Sequence, residues 1–220
     1  MIPVKICGIT NLTDAQLAAQ GGASAIGLIF YKNSPRYVSM EVAKEIIASI
    51  DGQIPVVGVF VDENIDWVLE IAAKAKLDII QLHGKESPQY CEQLNVPIIK
   101  VLRVDSLFDK SILKDYNVSA FLFDTYKKGL PGGTGDHFDW GLISDLKLDT
   151  PIILSGGLNI ENIMLGIATV NPSAVDVNSG VENCPGEKDE KKMTQLFNIM
   201  CKTMGKNSFF QKLKNEKINV

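Results

Sequence analysis

Polar side chains that could take part in proton transfer stand at or just beyond the ends of apolar segments. Cys7, His83 and Asp124 each lie near the end of such a segment, and Arg36 follows another. A polar group buried without a partner costs about 1–3 kcal/mol, so polar residues at these positions indicate a structural or functional role. A thiolate can accept a proton and a carboxylic acid can donate one. Cys7 and Asp124 are therefore candidates for a general base and a general acid.

The case for Cys7 depends on its neighbour Lys5. Side chains alternate along a strand, so Lys5 and Cys7 point to the same face. A nearby ammonium lowers the pKa of a thiol and favours the thiolate. Without Lys5 and the Gly-Ile-Thr segment that follows, Cys7 would be interpreted as a small core residue. Cys91, Cys184 and Cys201 have no such company and are predicted to be structural.

Asp124 ends the run AFLFD and precedes the glycine-rich segment 127–135. A carboxyl group in a partly apolar environment can have a raised pKa and stay protonated, as a general acid must. A carboxylate that accepts hydrogen bonds from loop amides is an equally supported alternative on local evidence.

Glycine-rich loops after the seventh and eighth apolar runs predict an anion site. The segments SGG (155–157) and NSG (178–180) allow the backbone to approach an anion closely. In many barrels of alternating strands and helices, these two loops bind phosphate. The segment GGTG (132–135) is expected at the same end. The candidate phosphate-binding residues are Gly156, Gly157, Ser179 and Gly180.

Two further binding candidates carry weaker signals. The planar fork of Arg36 suits a carboxylate or a phosphate, although a single loop arginine is usually a solvated charge. Gln81 and His83 share one strand face, and His83 is a candidate for a hydrogen bond to a ligand. A histidine that is only oriented by its neighbours is at least as well supported.

The elements that must position these residues are eight short apolar runs separated by amphipathic stretches of helical period. Near-continuous apolar strands are typical of a parallel sheet covered by helices. Eight strand–helix units in one chain of this length predict a single (β/α)8 barrel, with a doubly wound open sheet as the alternative. The runs are 4–9, 25–30, 55–60, 78–83, 97–103, 120–124, 151–157 and 174–180.

Helix boundaries are predicted from capping residues. Thr13-Asp14 is expected to begin the first helix and Gly21-Gly22 to end it, and Asn159 is expected to cap a later one. The last helix is expected to end near Gly205.

These boundaries predict a barrel domain over residues 1–205 and a C-terminal extension over 206–220. The role of the extension is not indicated by its sequence. A docked or frayed terminus is favoured over a functional arm.

Composition excludes several classes of protein. A net charge of −4 and a pI of about 5.3 give no basic surface for nucleic acid. No apolar run is long enough to cross a membrane, and no signal peptide is evident, so a cytoplasmic protein is predicted. Four cysteines without a C-x-x-C motif, together with only two histidines, argue against a metal site.

A small-molecule partner is expected. The sequence is compatible with a monomer and with a homodimer.

Taken together, these segments resemble the phosphoribosylanthranilate isomerases, enzymes of tryptophan biosynthesis. The resemblance spans about residues 2–200 in the expected order, and the terminal extension lies outside it. The matching segments are KICGIT (5–10), GLIFYKNSPRYVS (27–39), VGVFV (57–61), QLHG-E (81–86), LFDT (122–125), GGTGDHFDW (132–140), LSGGLNIENI (154–163) and DVNSGVENCPGEKD (176–189).

The resemblance implies a role for each candidate. Cys7 matches the general base, Asp124 the general acid and Arg36 the residue that holds the anthranilate carboxylate. The glycines of the two loops match the phosphate site. The implied reaction is an Amadori rearrangement, the third step from chorismate to tryptophan, and it needs no cofactor or metal.

The two kinds of rival function are a related sugar-phosphate barrel enzyme and a catalytically silent barrel. A histidine-pathway isomerase would carry aspartates at the ends of the first and fifth strands, but Cys7 ends the first run and no aspartate ends 97–103. The tryptophan synthase α subunit would share the phosphate loops. A catalytically silent barrel that binds a phosphorylated ligand or a protein has no need of Cys7, Arg36 and Asp124 together.

Overall fold

The computed structural model describes residues 2–125, 139–201 and 209–216. Eight parallel strands pair in sequence order and the first strand pairs with the last, so the sheet is a closed barrel. This confirms the predicted (β/α)8 fold and excludes the open sheet. The strands are β1 (Val4–Ile6), β2 (Ala25–Ile29), β3 (Val56–Phe60), β4 (Ile79–Leu82), β5 (Ile98–Val104), β6 (Ala120–Thr125), β7 (Ile152–Leu154) and β8 (Ala174–Val177).

Helices cover the outside of the barrel, and a two-stranded hairpin follows β8. Over the three described ranges, no helix combines the length and the apolar character needed to cross a membrane. The hairpin strands are β9 (Glu182–Cys184) and β10 (Glu187–Lys188). The helices are α1 (Leu12–Gly21), α2 (Met40–Ile50), α3 (Ile65–Ala75), α4 (Pro88–Cys91), a 3₁₀ helix (Lys110–Asp115), α5 (Gly141–Ser144), α6 (Ile163–Val170), α7 (Glu190–Met200) and α8 (Phe209–Asn215).

The first helix begins earlier than predicted and ends as predicted. Asn11, rather than Thr13-Asp14, is the N-cap, because its side chain accepts a hydrogen bond from the Asp14 backbone N–H at 2.8 Å. Gly22 ends the helix in the left-handed region with φ of 111°, where glycine has no steric penalty.

Two later helix boundaries were wrong. The Asn159 side chain accepts from the backbone N–H of Glu161 at 2.8 Å, but this closes a turn, and α6 begins only at Ile163. The last barrel helix, α7, ends at Met200 rather than near Gly205. At Asn159, a polar residue that suits a helix end serves the turn before α6 instead.

Alternation along the strands separates an outer core from an inner one. Outward residues such as Ile6, Phe121 and Val175 pack against the helices. A second cluster fills the barrel interior. Its strand residues are Ala25, Val57, Ile79, Ile99, Val101, Ala120, Leu122, Ile153 and Ala174.

The C-terminal helix α8 packs against this inner cluster. Phe210 and Leu213 belong to the cluster and are almost fully buried. Lys214 forms an ion pair of 2.8 Å with Asp78, which precedes β4. Asp78 also accepts from the Val56 backbone N–H at the start of β3. Helix α8 therefore covers the amino-terminal end of the barrel.

We expect Phe210→Ala to destabilise the protein more than its position near the terminus would indicate. Removing a buried phenyl group costs about 3 kcal/mol in the free energy of unfolding, which lowers Tm by roughly 10 °C in a chain of this size. Thermal unfolding followed by circular dichroism measures this shift.

The matched control is Gln211→Ala, an exposed position on the same helix. It should leave Tm within about 2 °C, since exposed substitutions seldom exceed 0.5 kcal/mol. Equal and small shifts in both variants would show that α8 does not stabilise the barrel.

Candidate active site

A pocket of about 510 Å³ opens at the carboxyl end of the barrel, at the end opposite to α8. This volume suits a small molecule. Seven of the eight residues predicted as a site line it: Cys7, Arg36, His83, Asp124, Gly156, Gly157 and Ser179.

Cys7 and Asp124 lie on opposite walls of this pocket. Cys7 follows β1 and Asp124 lies near the end of β6. Strands β7 and β8 separate them in one direction around the barrel, and β2–β5 separate them in the other. Both side chains are buried. A ligand in the pocket would therefore meet a thiol on one side and a carboxyl group on the other.

Lys5 lies below Cys7 on the inner face, as predicted, and is paired with Asp176. The Lys5 Nζ and the Asp176 Oδ1 are 2.7 Å apart, and these residues are direct partners in the pairing of β1 with β8. Burial opposes the charge on Lys5, but Asp176 and Cys7 outweigh it and hold the pKa of Lys5 above its ordinary value.

The net effect on the Cys7 thiol differs from the prediction. Burial, the largest influence, raises its pKa, and the ammonium of Lys5 lowers it as expected. Asp176 raises it again, so the pKa of Cys7 lies above its ordinary value. Lys5 thus limits a rise caused by dehydration rather than producing a low pKa, since its charge is shared with Asp176.

Asp124 is held by His83. The Asp124 Oδ2 and the His83 Nε2 are 3.1 Å apart, and the His83 Nδ1 lies 3.3 Å from the Gln81 Nε2. If the Gln81 amide donates, the other ring nitrogen carries the proton and donates to Asp124. The Gln81 Oε1 is buried and has no hydrogen-bond partner among residues 2–125, 139–201 and 209–216.

The two glycine loops meet beside the pocket. Gly156 and Gly157 have φ angles of 86° and 70°, which L side chains rarely adopt. Gly180 does not line the pocket; it lies against the loop after β7, where a Cβ atom would be 2.0 Å from the Leu158 carbonyl oxygen. Gly180 therefore allows the two loops to touch. The segment 132–135, expected nearby, lies outside the described residues.

Arg36 is not a solvated loop charge. Its Nε donates to both carboxylate oxygens of Glu182, at 2.9 and 3.1 Å, and its Nη2 donates to Oε2 at 2.6 Å. The Glu182 carboxylate also accepts from the Lys188 Nζ at 2.8 Å. Burial opposes the charge on Glu182, but these donors outweigh it and hold its pKa below the ordinary value.

Comparison with known proteins supports one family. The model of N-(5'-phosphoribosyl)anthranilate isomerases matches residues 4–199. The isomerase of Geobacter sp. (strain M21) is 45% identical over 196 residues, which cover 89% of this chain and 96% of that protein. The isomerase of Pseudomonas syringae pv. syringae is 46% identical over 191 residues, covering 86% of this chain and 92% of that protein.

The chain belongs to the N-(5'-phosphoribosyl)anthranilate isomerase family. The crystal structure of the Thermus thermophilus enzyme has a TM-score of 0.84 and 34% identity, and covers 90% of this chain and 98% of that one. Another solved family structure, a complex with reduced 1-(o-carboxyphenylamino)-1-deoxyribulose 5-phosphate, has a TM-score of 0.76 and 35% identity, covering 90% and 97%. These findings confirm the resemblance, and the protein is an isomerase.

The sequence interpretation missed the charged partners of the site residues. Glu182 and Lys188 lie in the hairpin after β8, far along the chain from Arg36. Asp176, the partner of Lys5, was not among the predicted site residues. Their signal was present, since charged residues in otherwise apolar or turn segments are seldom buried without a partner. The spacing does not say which partner each one has.

The fifth strand also differs from the prediction. It extends to Val104, so Asp105 directly follows it, although the run 97–103 has no aspartate at its end. The Asp105 carboxylate accepts from the Leu107 backbone N–H at 2.9 Å and closes its own turn. It is not among the described residues that line the pocket. The argument against a histidine-pathway isomerase therefore depends on this geometry and on the family match.

We expect the Lys5→Met variant to raise the pKa of Cys7 further, because the ammonium that stabilises the thiolate is lost while Asp176 remains. A higher pKa leaves less thiolate at a given pH, so alkylation of Cys7 should require a higher pH. The rate of Cys7 modification by iodoacetamide as a function of pH, followed by peptide mass spectrometry, measures the midpoint.

Two variants test the cause. Adding Asp176→Asn to Lys5→Met should bring the midpoint part of the way back, because Asp176 raises the pKa of Cys7. Lys44→Met, at an exposed position on α2, should leave it unchanged. An unchanged midpoint in Lys5→Met would contradict the assignment.

Proposed function

We propose that this isomerase converts N-(5'-phosphoribosyl)anthranilate to 1-(2-carboxyphenylamino)-1-deoxyribulose 5-phosphate by an acid–base catalysed Amadori rearrangement. The observation that carries the proposal is one pocket with Cys7 and Asp124 on opposite walls and the two glycine loops beside them. The family match identifies the class of substrate.

Ring opening is the first step. Asp124, as the carboxylic acid, donates its proton to the furanose ring oxygen while the bond from C1 to that oxygen breaks. The lone pair of the anthranilate nitrogen forms the C1=N bond of a protonated Schiff base. His83, 3.1 Å from Asp124, fixes the orientation of the carboxyl group.

Proton removal at C2 is the second step. The Cys7 thiolate takes the C2 proton, and the electrons of that bond form the C1=C2 double bond while the C=N electrons return to nitrogen. The resulting enolamine tautomerises to the ketone, as C1 gains a proton and the C2 hydroxyl loses one. A thiolate of raised pKa is scarcer but is a stronger base when it forms.

The remaining groups hold the two charged ends of the substrate. Gly156, Gly157 and Ser179 line the pocket, and their backbone N–H groups can donate to the phosphate oxygens, while Gly180 lets the two loops touch. Arg36, in the loop after β2, also lines the pocket and can bind the anthranilate carboxylate. These contacts would fix the sugar between acid and base.

This reaction would be the third step from chorismate to tryptophan, and we place it in the cytoplasm. All four cysteines are free thiols, and Cys184 and Cys201 are exposed. Exposed free thiols are typical of a reducing compartment.

We expect Cys7→Ser and Asp124→Asn each to lower kcat by about 10³-fold or more, because each removes one partner of the proton transfers. Affinity for the reduced product analogue, reduced 1-(o-carboxyphenylamino)-1-deoxyribulose 5-phosphate, should stay within a few-fold. Neither Cys7 nor Asp124 binds the phosphate or the carboxylate of this ligand. Loss of anthranilate-derived fluorescence after addition of the substrate measures turnover, and calorimetry measures binding.

Cys201→Ser and Asp105→Asn are the matched controls and should keep wild-type rates. Cys201 is an exposed thiol at the end of α7, and Asp105 is the aspartate at the end of β5. Normal rates in both Cys7→Ser and Asp124→Asn would overturn the acid–base assignment.

A further inference from the structure

We infer that Glu182 and Lys188 are positioning residues that hold Arg36 in the orientation needed to bind the ring carboxylate of the substrate. The inference rests on the proposed function and extends it to residues outside the pocket wall. Within the described part of the chain, that wall includes Arg36 but neither Glu182 nor Lys188. Glu182 therefore acts on a ligand through Arg36, and Lys188 acts through Glu182 and through Asn178, which lines the pocket.

Glu182 fixes the plane of the guanidinium. Three hydrogen bonds of 2.6–3.1 Å join the Nε and Nη2 atoms of Arg36 to its carboxylate. A fork of this kind restricts rotation more than a single contact does. The Nη1 atom has no hydrogen-bond partner among the described residues, so it remains for a ligand.

Lys188 fixes Glu182 in turn. Its Nζ donates to the Glu182 Oε1 at 2.8 Å and to the Asn178 Oδ1 at 3.0 Å. The Gly186 backbone N–H contributes a longer bond of 3.3 Å to the same carboxylate oxygen. Both oxygens of Glu182 are thus occupied, and the carboxylate has little freedom to turn away from Arg36.

The backbone leaves room for this arrangement at one glycine. A Cβ atom on Gly8 would lie 2.7 Å from the Arg36 Cδ and 2.6 Å from the Asn178 Oδ1. Gly8, with φ of 71°, follows Cys7 directly. The aliphatic part of Arg36 therefore packs against the backbone at Gly8, the residue after the candidate base, while its guanidinium pairs with Glu182.

The charges of the cluster explain why two cations accompany one carboxylate. An Arg36–Glu182 pair alone would be neutral and would attract an anionic ligand weakly. Burial lowers the pKa of Lys188, although Glu182 opposes this, and in its ammonium form Lys188 gives the cluster of one guanidinium, one carboxylate and one ammonium a net charge of about +1. The cluster is then both oriented and attractive to a carboxylate.

Glu182→Gln separates orientation from charge. Glutamine keeps the shape of the side chain but has one acceptor oxygen in place of two. Arg36 and Lys188 would then compete for that oxygen, so the fork on Arg36 is lost. The same change makes the cluster more positive, which by itself would tighten anion binding. We expect KM to rise by roughly tenfold with kcat nearly unchanged, because an interaction present in both the ground state and the transition state is weakened.

Binding of three probes by calorimetry provides the selective readout. Glu182→Gln should lose roughly tenfold in affinity for the reduced product analogue, and nothing for inorganic phosphate. It should also lose nothing for the same analogue without its ring carboxylate. General damage to the fold would weaken all three, and that result would overturn the inference.

The matched control is Lys192→Met. Lys192 donates to the Glu182 backbone carbonyl at 2.7 Å and not to its carboxylate, so this variant should keep the wild-type KM. Lys188→Met should show the Glu182→Gln effect in a weaker form. Tighter binding of the carboxylate analogue by Glu182→Gln would overturn the inference, since Glu182 would then only reduce the charge. Wild-type protein that neither turns over the substrate nor binds the analogue would show separately that the proposed function fails, and would overturn the inference with it.

Discussion

Closure of the barrel between β1 and β8 is the constraint on which the rest of the structure depends. The seam pairs three residues of each strand, and its central pair is Lys5 with Asp176. Because parallel strands end at the same edge, closure brings Cys7 next to the loop that follows β8. In the hairpin after that loop, Glu182 pairs with Arg36 of the loop after β2, and Lys188 donates to Glu182. The site is assembled where the first and last parts of the barrel meet.

Buried charges are concentrated at this end, where each has a partner. Lys5 pairs with Asp176, Arg36 with Glu182, and Lys100 with Glu86 at 2.6 Å. Burying such pairs gains little stability relative to apolar residues, whereas breaking one is costly. The inner apolar cluster and α8 stabilise the opposite end. One end of the barrel is thus built for packing and the other for holding polar groups in fixed positions.

Local patterns were enough to predict the strands and the side of the barrel that each residue faces. Lys5 shares a strand face with Cys7, and Gln81 shares one with His83, because the backbone alone sets the alternation of side chains along a strand. The glycine loop after β7 could be found because its positive φ angles require glycine at Gly156 and Gly157, and the loop after β8 because the close approach of Leu158 requires glycine at Gly180.

Contacts between distant segments could not be predicted in this way. The partner of Arg36 is 146 residues away in the chain, and nothing in either local sequence identifies the other. The docking of α8 depends on the amino-terminal end of the barrel, a surface that forms only when the eight strands have closed into a ring. The net pKa shift of Cys7 required the depth of burial as well as the nearby Lys5.

The most direct test of the central claim is a crystal structure with reduced 1-(o-carboxyphenylamino)-1-deoxyribulose 5-phosphate bound. The account predicts the phosphate on the backbone of the loops after β7 and β8, and the ring carboxylate on Arg36. The sugar carbon C2 should contact the sulfur of Cys7, with Asp124 on its other side. A ligand bound in the reverse orientation, or with C2 out of reach of Cys7, would contradict it.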